Sequence, residues 1–271
     1  MVRSLWTAAT GMIAQQTNVD TIANNLANVN TTGYKTEKAE FKSLLYQTLQ
    51  AKTTTANGAN KPIPAQVGLG TRNVAITSDF TEGILTATEK DTDFAIAGDG
   101  FFQVRGEDGN TYYTRNGSFT WARGLDGTML TNSEGLPVLD TNGNAIVLNN
   151  NYQATKLGIN SLGQITYPDD QNNAQPIGIA LGLCQFSNPS GLNKTSGTLY
   201  EATEASGPAL NEAQNQVLNQ SQVKQGYLEG SNVQVVDEMV NLIVAQRAYE
   251  MNSKAIQASD TMLGQANELK R

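Results

Sequence analysis

An apolar helical seam at each end of the chain, with a turn-rich stretch between them, limits this sequence more than any other feature. Leu5, Ala8, Met12, Val19, Ile22, Leu26 and Val29 follow one another at spacings of three and four, with only Gln15 interrupting. That is a heptad pattern held over nearly four repeats, and it predicts a helix from about Arg3 to Val29. The helix runs into Asn30-Thr31-Thr32-Gly33, where Gly33 can supply the positive φ of a helix stop. At the other end Val236, Met239, Val240, Ile243, Tyr249, Ile256 and Leu263 form a second stripe, free of proline and free of glycine until Gly264. Ser231-Asn232-Val233-Gln234 has the form of a capping box and predicts that this helix opens near Val233. Seams of this kind need partners, so the expected arrangement is a coiled coil of the two terminal helices with each other and with copies of the chain.

Between the helices the periodicity is that of strands. Turn pairs recur at Asp99-Gly100, Asp108-Gly109, Asn116-Gly117, Asp126-Gly127, Glu134-Gly135 and Asn142-Gly143, a cadence of antiparallel β-structure rather than βαβ units. The predicted strands are 73–77, 94–97, 101–105, 111–115, 118–121, 129–131, 145–148, 163–167, 177–186 and 199–202. The clearest hairpin joins Phe101–Arg105 to Thr111–Arg115. Phe41, Leu44, Leu45 and Leu49 give residues 34–50 the look of a short second amphipathic piece, and the Thr-, Ala- and Pro-containing run 51–66 reads as a linker or arm. The fold class is therefore mixed α and β. Residues 1–45 and 229–271 form a helical domain, 46–71 an extended arm, and 72–228 an antiparallel β-rich domain.

Composition narrows the function. With 271 residues, 39% hydrophobic content is modest for a single buried core and fits an extended or assembled protein. The net charge of −7 falls on the middle: residues 1–45 carry four basic and three acidic groups, 229–271 four and six, and the rest ten and sixteen. An acidic surface of this kind favours neither nucleic acid nor anionic lipid. The chain has no histidine, which removes His triads, the usual zinc ligand sets and imidazole pH switches. Its one cysteine, Cys184, sits in the alternating run Ile177, Ile179, Leu181, Leu183 and reads as a strand residue without a base to activate it. The start Met-Val-Arg-Ser-Leu-Trp leads into a polar amphipathic helix rather than a signal-peptide core, and no apolar run reaches membrane-spanning length. No cofactor and no catalytic or metal site is expected. Asp140-Thr-Asn142-Gly-Asn144 imitates an EF-hand opening, but Ala145 and Asn151 occupy its sixth and twelfth positions, so it reads as a hairpin turn. Asp91-Thr92-Asp93 reads as a solvated acidic loop.

The asparagines of the first helix are less ordinary. Asn24, Asn25 and Asn28 are poor helix formers beside a seam, and amides there can fix register by bonding a neighbouring helix.

Taken together, Ala23-Asn24-Asn25-Leu26-Ala27-Asn28-Val29-Asn30-Thr31-Thr32-Gly33-Tyr34-Lys35 resembles the signature of the bacterial flagellar rod and hook proteins. Further likenesses are Asp93 through Phe102, Tyr113-Thr114-Arg115-Asn116-Gly117-Ser118-Phe119, and Ser231-Asn232-Val233 through Lys254. By length, by the opening Arg3-Ser4-Leu5-Trp6-Thr7-Ala8 and by Leu45-Tyr46-Gln47-Thr48, the chain is most similar to the distal rod group. The resemblance implies a non-enzymatic subunit exported through the flagellar type III apparatus without a cleaved signal. Its subunits would polymerise into a hollow helical shaft in the periplasm that carries torque inside bushing rings, with proximal rod, hook or junction proteins, export apparatus and rod cap as partners. The two helices would line the inner tube and the acidic β-domain would form the outer shell.

Other classes remain open at this level. One is a proximal rod protein of the same family. Another is a secreted glycan-binding β-domain using Tyr112, Tyr113 and Trp121 as stacking surfaces, with oligomerising helices. A third is an enzyme built on a local carboxylate pair, Asp79 with Glu82 or Asp91 with Asp93.

Overall fold

A computed structural model describes residues 2–50, 65–124, 127–148, 152–153, 156–169, 173–215 and 219–269. Most of the predicted arm, together with Asp126 and Asn151, lies outside them. The chain divides into two compact units, one from Met1–Ala27, Glu37–Thr77 and Gln234–Arg271, the other from Asn28–Thr36 and Ser78–Val233.

In the first unit the terminal helices α1 (Val2–Ala27) and α2 (Val235–Glu268) pair with each other. The pairing is antiparallel: Ser4 Oγ lies 3.1 Å from Ser259 Oγ, and a Cβ added to Gly11 would come within 2.9 Å of Asn252 Nδ2. Seven residues forward on one helix thus answer seven back on the other. The threonines of α1 do not break it, because Thr7, Thr10, Thr17 and Thr21 donate their hydroxyls to carbonyls three or four residues earlier. The start of α2 differs from the capping-box expectation. Its N-cap residue is Gln234 with no side-chain cap, while Ser231 Oγ accepts from the Val233 N–H at 3.3 Å in a local turn ahead of the helix.

The short second amphipathic piece expected within residues 34–50 takes the form of two strands. Glu37–Ser43 pairs with Thr71–Ser78, and Tyr46–Gln50 pairs with Ala65–Gly68 in the register Tyr46↔Gly68. The alternation of Lys38, Glu40 and Lys42 with Ala39 and Phe41 is a strand period, and it prevails over leucines that happen to fall at helical spacing.

The second unit is antiparallel throughout its named strand pairs. Its largest sheet has six strands in the spatial order Asn193–Ser196, Leu199–Glu201, Thr111–Thr114, Phe101–Arg105, Leu183–Gln185 and Leu210–Asn211. The predicted hairpin is present, with Phe102 opposite Thr114 and Arg105 opposite Thr111. Strand alternation sends Phe102 and Val104 to a core with Phe94, Phe119, Leu130, Leu181 and Val223, and sends Phe101 to the opposite face against Tyr113, Cys184, Phe186 and Tyr200. Cys184 is accordingly a buried strand residue, and burial pushes its thiol up to about 11. The expected single strand 177–186 is broken in two: Ala174–Ala180 belongs to a three-stranded sheet and Leu183–Gln185 to the six-stranded one. The break falls at Gly182, where a Cβ would meet the carbonyl oxygens of Asp140 and Leu139 at 2.6 and 2.9 Å.

Candidate assembly site

The sequence-predicted seams occupy two kinds of position. On α1, Ile22 is buried and Leu5, Met12, Val19, Leu26 and the following Val29 are half-buried. On α2 the line buried within the unit is Glu238, Ala245 and Ser259, accompanied by half-buried Leu242, Asn252, Ile256 and Leu263. Of the other predicted positions, Val236, Met239, Val240 and Ile243 face away from α1, while Tyr249 lines a groove together with Gln16 and Val19 of α1. Val236 is 74% exposed, Met239, Val240 and Ile243 are each more than half exposed, and Tyr249 is exposed as well. Val244 and Met251 extend the same open surface. Intrachain pairing therefore uses a face that mixes small and polar residues with Leu242, Ile256 and Leu263, and the most exposed apolar face of α2 stays free. Water around such a face is an unfavourable state that a second surface would relieve.

The asparagines find partners within the chain. Asn25, almost wholly buried, donates to the Glu37 carbonyl at 2.8 Å and accepts from the Glu37 N–H at 2.9 Å, so one amide imitates a strand neighbour. Asn24 Nδ2 donates to the Glu37 carboxylate at 3.2 Å, and Asn28 Oδ1 accepts from the Thr31 hydroxyl at 3.0 Å. Within the chain Asn25 thus ties the end of α1 to the Glu37–Ser43 strand.

Beyond Asn28 the chain enters the second unit and crosses a buried charge cluster. Gly33, at φ 70°, donates its N–H to the Glu229 carbonyl at 2.8 Å, and a Cβ there would lie 2.7 Å from the Asn116 nitrogen. Both its backbone conformation and its close approach therefore require glycine. Tyr34 is buried, with Lys194 Nζ 4.5 Å from its ring centroid. Lys35 Nζ donates to Glu229 Oε1 at 2.6 Å and to the Thr81 carbonyl at 2.7 Å. Arg115 Nη1 stands 3.6 Å from Glu229 Oε2, and its guanidinium lies 4.9 Å from the Phe101 ring centroid. The ionic side chains of all three are at most 1% exposed. Burial holds both Lys35 and Arg115 below their ordinary values against the opposing pull of Glu229. Removal of the carboxylate would leave two cations out of water, so the cluster enforces its own completeness.

Comparison with known proteins bears on this arrangement. Three family models match the chain: "Flagella basal body rod protein" over residues 5–35, "Flagellar hook protein FlgE/F/G D1 domain" over 95–167, and "Flagellar basal body rod FlgEFG protein C-terminal" over 224–269. The flagellar basal-body rod protein FlgG of Borreliella burgdorferi is 44% identical over the full length of both chains. FlgG of Bacillus subtilis is 37% identical, also over the full length of both, and the flagellar hook-basal body complex protein FlhP of the same organism is 32% identical over an equal span. The chain belongs to the FlgG-type family of flagellar basal-body rod proteins. It is a structural protein rather than an enzyme.

In this FlgG-type chain the first matched segment ends at Lys35, Arg115 lies in the second and Glu229 in the third, so the cluster joins all three. Sequence reasoning missed it. Lys35 and Glu229 are 194 residues apart, and the only local signal was the position of Lys35 at the end of an unusual glycine turn. The acidic loop expected at 91–93 is half wrong: Asp91 is exposed, but Asp93 is buried where its backbone bridges Ser118. Asp140 does make a turn, its Oδ1 accepting from the N–H groups of Asn142 and Asn144 at 2.8 Å each. The aromatic residues considered for glycan stacking serve packing. Tyr113 meets Phe186 edge-on with ring centroids 4.8 Å apart, and Tyr112 and Trp121 lie against the larger core.

Proposed function

We propose that this chain is the repeating subunit of the distal rod, a hollow helical shaft that carries torque from the flagellar motor to the hook. The observation that carries this reading is where apolar surface is left in water. Among the described residues, every exposed large hydrophobic except Ile84, Leu162 and Tyr227 belongs to the first unit. The second unit has two closed cores of its own and an acidic balance of seventeen Asp and Glu against eight Lys and Arg, while the first carries eight against ten. A sticky, nearly neutral helical unit and a self-sufficient acidic unit suit a polymer with a packed inner wall and a solvated outer shell. Contacts that repeat head to tail without closing generate helical filaments. In the polymer α1 and α2 would lie in a coiled-coil lattice, with the outward stripe Val236, Met239, Val240 and Ile243 against neighbouring copies. Proximal rod, hook or junction, ring, cap and export components would be its partners, and the periplasm its location after export without a cleaved signal.

Two measurements test this. Purified chain concentrated at neutral pH should form hollow filaments visible by electron microscopy, and expression in a flagellate strain lacking its own FlgG-type protein should restore swimming. A chain that stays monomeric at high concentration and leaves that strain without rods would refute the reading.

A further inference from the structure

The backbone passes between the two units at residues 27/28, 36/37, 77/78 and 233/234. Just inside the second unit these passages are fastened to one another, and a single side chain does much of the fastening. Asn232 Oδ1 accepts from both the N–H and the hydroxyl of Thr36 at 2.7 Å, while its Nδ2 donates to the Asp79 carbonyl at 2.9 Å and to Thr81 Oγ1 at 3.0 Å. The Asp79 N–H donates to the Thr36 carbonyl at 2.8 Å. Lys35 adds the buried link from the Thr81 carbonyl to Glu229, and Glu229 Oε1 also accepts from the Gly83 N–H at 2.9 Å. The first passage joins through Asn28, whose carbonyl accepts from Thr31 at 3.1 Å two residues before Gly33 bonds Glu229. All of these atoms belong to the second unit.

We infer that Asn232 and the Lys35–Glu229 pair form a load-sharing knot, which turns four separate chain passages into one mechanical root, with Asn232 as the positioning residue. The inference rests on the reading of the protein as a torque-carrying shaft. Any force carried along the backbone into the second unit enters through these passages. Were they independent, each could peel away from its own end, one hydrogen bond at a time. Cross-tied, they must break several bonds together, and the buried Lys35–Glu229 pair among them has no water to replace it. An amide suits the position because it accepts on one side and donates on the other, which neither aspartate nor leucine of similar size can do.

The test uses the full-length soluble chain and then the assembled flagellum. In Asn232→Ala, amide hydrogen exchange at Gly33, Thr36, Asp79 and Gly83 should quicken together, each by roughly tenfold, because all four belong to one cooperative opening. A Leu181→Ala chain, compared at the same interval below its melting temperature, should leave the four amides in step with the rest of the unit. If Asn232→Ala does not fold, Thr36→Val, which deletes only one bond to Asn232, should show a smaller acceleration with the same spread. Acceleration confined to the Thr36 amide would overturn the knot. In cells, Asn232→Ala flagella should form in normal numbers and lose swimming speed in viscous medium several-fold more than Leu181→Ala flagella. Equal loss in the two would overturn the load-bearing role while leaving the polymer reading intact, and failure of the unaltered chain to restore rods, with exchange as expected, would count against the polymer reading alone.

Discussion

Ile243 is where the two faces of α2 can be separated by experiment. Its side chain is 56% exposed in the single chain, and four further apolar neighbours, Val236, Met239, Val240 and Val244, are exposed to a similar or greater degree. Full burial of such a side chain stabilises by about 1.5–3 kcal/mol, so with half or more of each still in water, each has about 1 kcal/mol left to gain. Five together offer about 5 kcal/mol per subunit contact, an upper figure because packing is never perfect. Ile243→Ala should therefore raise the critical concentration for polymerisation about fivefold. Ile243→Asp, which drives a carboxylate into the same contact at several kcal/mol, should abolish polymerisation at accessible concentrations. Neither change should move the melting temperature of the monomer by more than about 2 °C, since exposed substitutions fall within about 0.5 kcal/mol and alanine is a better helix former than isoleucine. Ala245, two residues on and 2% exposed, should behave in the opposite way. Ala245→Asp buries its charge within the helix pair and should lower helical circular dichroism in dilute monomer. Sedimentation across a concentration series, paired with dichroism melts, decides it. Polymerisation of Ile243→Asp at wild-type concentration, or equal damage to the monomer by Ile243→Asp and Ala245→Asp, would refute the division of the helix into an inner and an outer face.

Glu229→Gln should destabilise the second unit by about 3–5 kcal/mol in urea titrations, because Lys35 and Arg115 lose their buried counter-charge, and an unchanged midpoint would show that water reaches the cluster. The alkaline limb of stability should trace to the smaller core. Burial raises Tyr113 to about 12 and Cys184 to about 11, above their ordinary 10.0 and 9.0. The unfolded chain therefore sheds these protons first, and the stability they contribute is complete below pH 9 and lost as pH rises toward 12. Lys35, held below its ordinary 10.5, acts in the opposite sense across its own window. Urea midpoints of Tyr113→Phe and Cys184→Ala between pH 8 and 11 should fall less steeply than those of the parent, and parallel curves would sink this assignment.

What could be read from the sequence was local. Phe101 and Phe102 with Asp108-Gly109 specify a hairpin because strand alternation and turn chemistry act within a dozen residues. Gly33 announced a positive φ for the same reason. The inner face of α2 was legible only in part, at Ile256 and Leu263, because Glu238, Asn252 and Ser259 are polar, and Val236, Met239, Val240 and Ile243 point to the outward stripe instead. That misdirection is itself physical: a subunit that assembles must hide one face at home and save an apolar one for later. Asp93 looked solvated because Asp91 beside it is, and only the strand it opens carries it inward. The charge cluster could not be found at all, since nothing in a window around Lys35 points to Glu229 or Arg115.

The pairing of Ser4 with Ser259 spans 255 residues of chain, and this imposes an order of events on folding. Contacts so distant in sequence form late, after the entropy of closing a very long loop has been met. As a chain emerges from its N-terminus, α1 can meet the Glu37–Ser43 strand through Asn25 but lacks its helical partner, while the hairpins of the second unit close over short distances. Only when α2 arrives does the helical unit exist, and only then does its outward face stand on a formed scaffold. The outward stripe therefore becomes available only with α2, and a chain cut short before Val235 carries neither.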